Sequence, residues 1–347
     1  MPIASYGVLK GRVVESRSAS GANPHYQVRV VDEGEEYRIA INVRSQDGSD
    51  VSYLIDSAFR HPVTDGLASL PVGFHALGRG PGAGGLDYIR GNLADPRAFV
   101  PLPFNVPGPD NDLNEKLGHY VQRAMADESA LVHAFGQKWG PEQPRDKIFG
   151  FKPGQGIHDI HMNQGNDRGH QGDDGVWQDG GLLFHFPEQR QWVAIFLKFQ
   201  SQAWHTDDST GHALELGGSG PPSDNVTPPP LGPDTPPTSD MPDGLVRIVA
   251  ALANDTRSPE RELVTLLNTS PRAVALTGWQ LADKAKNKTA LAGAIEPGAC
   301  VVVQVKAPMA LSNKGGIITL LDDRGVKVDG VSYTKAQSSR PGWTIVF

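Results

Sequence analysis

The stretch from Gly217 to Asp243, GGSGPPSDNVTPPPLGPDTPPTSDMPD, puts nine of the chain's 28 prolines into 27 residues and offers almost nothing to bury. Proline fixes φ and lacks the N–H that a sheet ladder needs, so this density gives an extended, semi-rigid spacer and no core. Whatever folds must do so on either side of it, as residues 1–216 and 244–347. The total of 347 residues agrees, because one hydrophobic core stops growing near ~250 to 300 residues. With 40 glycines and 28 prolines, one residue in five is a turn former. That favours short strands joined by turns over long helices.

Charge separates the two parts further. Leu245 to Phe347 carries 13 Lys and Arg against 8 Asp and Glu, a net of +5, which leaves −12 on the remainder of a chain whose total is −7. The two parts therefore face different partners, or each other. Cys300 is the sole cysteine, which excludes an intramolecular disulfide and a cysteine-ligated zinc or iron–sulfur centre. No apolar run approaches the ~20 residues of a spanning helix, and the start MPIASYGVLKGRVVE has no signal-peptide pattern. The expectation is a soluble cytoplasmic protein with no membrane association.

In the second part, LVRIVAAL (245–252), ELVTLLN (262–268), AVALTGWQL (273–281), CVVVQV (300–305) and GIITLLDD (316–323) alternate with turn-rich stretches such as EPG, SNKGG and DDRG. Short strands at that spacing predict an all-β sandwich, with Cys300 as an apolar filler within it. The residues Glu262 to Asn268, Gly278-Trp279, Leu281 to Asp283, Ile295 to Gly298, Leu311 to Asn313, Gly315-Gly316 and Asp329 to Tyr333 follow one another in an order that resembles the lamin-tail domain. The resemblance implies an immunoglobulin-like fold over about the last hundred residues, a form also found appended to bacterial proteins. Trp279 then belongs to its core.

Residues 1–216 open with the strand-like runs YGVLKGRVVE, HYQVRVVDE, EYRIAINVRS and DVSYLID, a meander or barrel-like sheet. One helix is predicted over 112–126, with Asp112 as N-cap, Glu115 as its N3 partner, and Leu113, Leu117, Tyr120, Val121 and Ala124 as its apolar stripe. The fold class of this part is α+β, dominated by β, with one clear helix. The blocks Gly85 to Gly91, Asn111 to Leu113, Gly156 to Asn166 and Phe199 to Gln202 are similar to the YukJ-like family of bacterial proteins, some of which carry a lamin-tail module in this position. The resemblance implies the domain order and leaves the chemistry to be read from the residues.

That chemistry concentrates in KPGQGIHDIHMNQGN. In an extended chain, His158, Ile160 and Met162 point one way, while Ile157, Asp159, His161 and Asn163 point the other. Carboxylate, imidazole and amide in one row can hold a divalent cation, or His161 can act as a base oriented by its neighbours. The alternative is a Gly-rich loop whose polar groups bond to its own turns. Further on, Asp179 precedes a hairpin whose second strand carries Lys198, a cation able to steady a developing phosphoryl charge. This is similar to the PD-(D/E)XK nuclease pattern, although Phe196 stands where its acidic metal ligand belongs. Lys198 as a solvated stem on an edge strand is the alternative. His205, with Asp207 and His212 nearby, adds a histidine–carboxylate set suited to Zn, Mn or Mg, or else an ordinary turn.

No GxGxxG follows a strand and leads into a helix, and GxxxxGK[ST], GxSxG and HExxH are absent from the sequence. The reading is a metal-dependent hydrolase, a phosphodiesterase or nuclease using a divalent ion (Mg, Mn or Zn). Its metal ligands are Asp159, His161, Asn163 and His205; His161, Lys198 and Asp179 supply the catalysis. Lys284, Lys286 and Lys288 in DKAKNK are set to track a nucleic-acid backbone along an extended segment or hairpin tip, or to form a solvated loop. The rival reading is a non-catalytic binding or structural protein whose lamin-tail module docks a protein partner.

Overall fold

The computed structural model describes residues 5–20, 25–45, 51–77, 93–95, 98–103, 106, 111–142, 145–158, 180–199 and 245–347. The first part contains β1 (Tyr6–Arg17), β2 (His25–Val31), β3 (Glu36–Asn42), β4 (Val51–Asp56), α1 (Val63–Ser69), β5 (Gly73–Ala76), β6 (Val100–Pro101), α2 (Asp112–Ala126), β7 (Leu131–Glu142), β8 (Gly154–His158), β9 (Gly180–Phe186) and β10 (Gln191–Phe199). The strands run in the order β5-β1-β2-β3-β8-β7-β9-β10-β4-β6, and β1 also pairs with β7. That extra pairing closes five strands into a ring, β1–β2–β3–β8–β7–β1.

Within the ring only β3–β8 is parallel, joining Arg38, Ile39 and Ala40 to Gly156, Ile157 and His158. Strand β1 is long enough to serve two neighbours: Tyr6 to Gly11 pair with β7, and Arg12 to Arg17 pair with β2 past a bulge between Val13 and Glu15. Such a bulge lets a strand turn a barrel corner. A five-stranded closed barrel with one shared, bent first strand and a helix before its fourth strand has the connectivity of an OB-type barrel. Strands β9, β10, β4 and β6 extend the sheet beyond β7.

The barrel is filled by alternating residues of its strands, Leu9, Tyr26, Val28, Ile39, Ile41, Val132 and Ile157 among them. Helix α2 covers one end with Leu113, Leu117 and Val121, all fully buried; each contributes roughly 1.5 to 3 kcal/mol. Its N-cap is Asn111, whose side chain accepts from the Asn114 N–H, where the sequence pointed to Asp112. Asn111 prevails because its Nδ2 also donates to the Val43 carbonyl at 2.7 Å, anchoring the helix to the barrel. A second apolar layer, with Tyr6, Val8, Phe59, Leu67, Phe135, Leu183 and Phe196, lies on the opposite face of the extended sheet. Here Lys10 Nζ donates to the carbonyls of Leu67 (3.2 Å), Ala68 (2.9 Å) and Leu70 (2.7 Å), the open end of α1. A cation there satisfies carbonyls that the helix leaves unpaired.

The second part is all-β, as expected, with β11 (Val246–Leu252), β12 (Leu263–Asn268), β13 (Val274–Ala275), β14 (Gln280–Asp283), β15 (Lys288–Ala290), β16 (Ala294–Ile295), β17 (Cys300–Gln304), β18 (Gly315–Leu321), β19 (Lys327–Thr334) and β20 (Ile345–Val346). Two four-stranded sheets, β17-β12-β11-β20 and β15-β14-β18-β19, share one core. Trp279 lies in that core at 7% exposure. The preceding Gly278 has φ +87°, and a Cβ on it would sit 3.0 Å from Asp323 Cβ. Cys300 differs from expectation: it is exposed. On the edge strand β17 it is Val301 and Val303 that pack against the core, so alternation turns Cys300, Val302 and Gln304 outward.

Candidate functional site

Opposite the barrel interior, the outer face of β2, β3, β8 and β7 is laid out by strand parity. Because Tyr26, Ile39 and Ile157 point inward, His25, Gln27 and Arg29 of β2, Arg38, Ala40 and Asn42 of β3, and Gly156 and His158 of β8 point outward. Gly156 pairs with Trp139 and His158 with Gln137. The Trp139 ring lies against Gly156. The Arg38 guanidinium stands 4.6 Å from the centre of that ring. The His158 ring is 5.0 Å from Trp139, and the His25 ring is 5.4 Å from His158, edge to face. Trp139, His158 and His25 thus form a half-buried aromatic row that starts on β7 and β8 and reaches over β3 to β2.

Arg38 is held by a buried ion pair, Nε to Asp146 Oδ2 at 2.6 Å, and by a bond from Nη1 to Gln27 Oε1 at 2.8 Å. Asp146 also accepts from the N–H groups of Ile148 and Phe149, tying down the β7–β8 connection. Burial first, then the charges of Arg38 and Lys147, push the His25 pKa down to about 4. His25 is therefore a neutral ring at neutral pH.

The sequence assigned His158 to the apolar side of its strand and Ile157 to the polar side. The parity holds, but the sides are exchanged: Ile157 is fully buried in the barrel and His158 lies on the outer face. Asp159, His161, Asn163, Asp179 and His205 lie outside the described residues. The strands that flank residues 159–179 are described, and they meet. His158 ends β8 opposite Gln137, while Gly181 of β9 sits opposite Phe135 of the same strand β7. Two residues along a strand span ~7 Å. The chain therefore departs after His158 and returns at Gly180 beside one short stretch of β7.

Gly180 in turn pairs with Leu197, the residue before Lys198. Lys198 is 5% exposed, opposite Ser52 of β4, with its Nζ 4.9 Å from the Phe99 ring centre. The edge-strand alternative fails here, since β10 runs between β9 and β4. Among the described residues, no three His, Cys, Asp or Glu side chains form a metal-binding group. His25 and Trp139 were missed in the sequence, because their meeting with His158 depends on pairings of strands far apart in the chain.

A second polar cluster serves structure. His133 is fully buried under α1, with Nε2 3.2 Å from the Leu67 carbonyl, and burial pushes its pKa down to about 3. In the second part, Lys284, Lys286 and Lys288 stand at the turn joining β14 to β15. Asp283 Oδ1 accepts from the N–H groups of Ala285 and Asn287, which makes this a tight turn and not an extended row. Lys284 and Lys288 are exposed, and Lys286 is half-buried.

A barrel of OB-type connectivity with an aromatic outer face, joined to an all-β sandwich, is thus the class of protein. Residues 1–211 match the family described as "Uncharacterized conserved protein (DUF2278)", and residues 241–335 match the Lamin Tail Domain. The chain belongs to the DUF2278 family and carries a lamin-tail module. It is 46% identical to "Uncharacterized protein YukJ" of Bacillus subtilis (strain 168) over 214 residues, 60% of this chain and 94% of that protein. No helix among the described residues is long and apolar enough to cross a membrane.

Proposed function

We propose that the first part is a metal-dependent hydrolase of phosphodiesters, a phosphodiesterase or nuclease working in the cytoplasm. One observation supports this reading above others: the strand ends on either side of residues 159–179 lie opposite Gln137 and Phe135 of β7, and β10, which carries Lys198, is paired to the second of them, β9. Asp159, His161 and Asn163 offer carboxylate, imidazole and amide oxygen, a donor set suited to Mg, Mn or Zn, with His205 as a further ligand. A bound ion would polarise the phosphoryl oxygen and lower the pKa of a water. His161 either ligates that ion or accepts the proton of the attacking water, Asp179 assists, and Lys198 opposes the charge that builds on phosphorus-bound oxygen. Metal analysis of the purified chain tests this, with phosphodiester hydrolysis followed before and after chelation. A stoichiometric divalent ion whose removal abolishes turnover supports the reading, and a metal-free chain overturns it.

The second reading is a non-catalytic binder whose lamin-tail module docks a protein. Strand β17 favours it, being an uncharged sheet edge on which Val302 is 59% exposed. Such an edge accepts an added strand. Lys284, Lys286 and Lys288 are the module's candidate contacts to nucleic-acid phosphates.

A further inference from the structure

We propose that the outer face of β2, β3, β8 and β7 binds single-stranded nucleic acid, with bases stacking along Trp139, His158 and His25 and phosphates over the Arg145–Lys152 turn. The proposal rests on the phosphodiester reading for the chemical step after binding, and it names the substrate class.

Three features of the face argue for this occupant. The first is the contiguous row of rings, 5.0 Å and 5.4 Å apart. Beneath it, Gly156 and Ala40 supply a low floor, since neither carries a side chain beyond Cβ. Bases offer a flat π-face whatever their identity, so aromatic side chains on a barrel face bind single strands with little sequence preference. A duplex keeps its bases stacked on one another and has no such face to give.

The second is local charge. Arg145, Lys147 and Lys152 are exposed on the turn between β7 and β8. The one acid in that turn, Asp146, is buried and directed inward to Arg38 Nε and to the N–H groups of Ile148 and Phe149. The turn itself therefore presents cations to solvent, within a part of the chain whose total charge is negative, and Glu36 on the neighbouring strand is paired with Arg29. Lys147 is near enough to lower the affinity of His25 for a proton.

The third is position. Ring strands two and three and the connection between ring strands four and five form the ligand face of OB-type barrels. Here those are β2, β3 and the Arg145–Lys152 turn. The same face ends at His158, where the chain departs towards Asp159 and His161.

The test is fluorescence anisotropy of a labelled twelve-nucleotide oligo-dT with the full chain in EDTA, at about 50 and about 200 mM salt. The expected result is binding that weakens about tenfold across that salt range and is much weaker for a duplex of equal length. Trp139→Ala and His158→Ala are each expected to weaken binding about tenfold. Arg145→Glu with Lys147→Glu, both exposed, should weaken it and flatten the salt dependence, and this pair carries the test if Trp139→Ala does not fold. Absence of oligo-dT binding, or binding indifferent to these substitutions, overturns the proposal; so does equal affinity for the duplex. Because chelation separates binding from turnover, binding without hydrolysis on adding Mn²⁺ leaves this proposal standing and removes the hydrolase. Hydrolysis of a small phosphodiester without oligo-dT binding does the reverse.

Discussion

The indole of Trp139 occupies the space that a side chain at residue 156 would need. A Cβ built on Gly156 would lie 2.6 Å from the ring's Cζ2 and collide with the Arg38 carbonyl oxygen. The parallel step β3–β8 closes the barrel at this point, so the Arg38 carbonyl cannot withdraw without opening it. Gly156→Ala is therefore expected to lower stability by about 1 to 3 kcal/mol or more, as overpacking does. Urea unfolding measures this, and an unchanged midpoint would show that the Arg38 backbone and the Trp139 ring both move aside.

The Arg38–Asp146 pair predicts a larger loss. Both side chains are almost fully buried, so Asp146→Ala strands a guanidinium and should remove about 3 to 5 kcal/mol. It also frees the N–H groups of Ile148 and Phe149. Replacing both partners together, as Arg38→Met with Asp146→Leu, should recover part of the loss in the same unfolding assay. A double variant no more stable than Asp146→Ala would assign the whole effect to the turn.

His133 sets a pH dependence. Its pKa falls from the ordinary 6.5 to about 3 on folding, so the folded state binds the proton less well than the unfolded one. Its contribution is then complete above pH 6.5 and declines as pH falls towards 3, by about 1.4 kcal/mol per pH unit while the unfolded chain alone is protonated. Comparing wild type with His133→Phe between pH 6 and pH 4 should show the variant's stability falling less steeply. Parallel curves would contradict a buried neutral imidazole.

How much of this could be read from the sequence differs by element. The α2 stripe was legible because Leu113, Leu117 and Val121 lie four apart and Ala124 three further on, and its cap was missed by one residue because Asn111 and Asp112 are both good caps. Trp279 was legible from its Gly278 neighbour. Closure of the barrel was not, since it depends on Arg38 meeting Gly156 across more than a hundred residues. Cys300 was placed inward on composition alone, whereas alternation with Val301 and Val303 turns it outward. The exchange of sides at Ile157 and His158 has the same origin: parity is visible in a sequence, and the direction of the core is not.

The core of residues 246–345 shares no member with the clusters of the first part, and the Pro-rich spacer lies between them in sequence. Proteolysis within Gly217 to Asp243 should therefore release two soluble pieces, each with its own cooperative unfolding transition. Precipitation of either piece would show that the two depend on each other. Binding of the full chain to duplex DNA, compared with a Lys284→Ala, Lys286→Ala, Lys288→Ala variant at two salt concentrations, isolates the β14–β15 turn. Loss of a salt-dependent component is expected, and identical curves would remove this turn as a contact.

The hydrolase reading is tested most directly by the rate at which the full chain with Mn²⁺ cleaves bis(p-nitrophenyl) phosphate, measured for wild type and His161→Ala. Turnover by wild type that a chelator abolishes is expected, with a loss of about 10² to 10⁴-fold in the variant and its unfolding curve unchanged. Equal rates for the two proteins, or no turnover by wild type with Mg²⁺, Mn²⁺ or Zn²⁺, would contradict it.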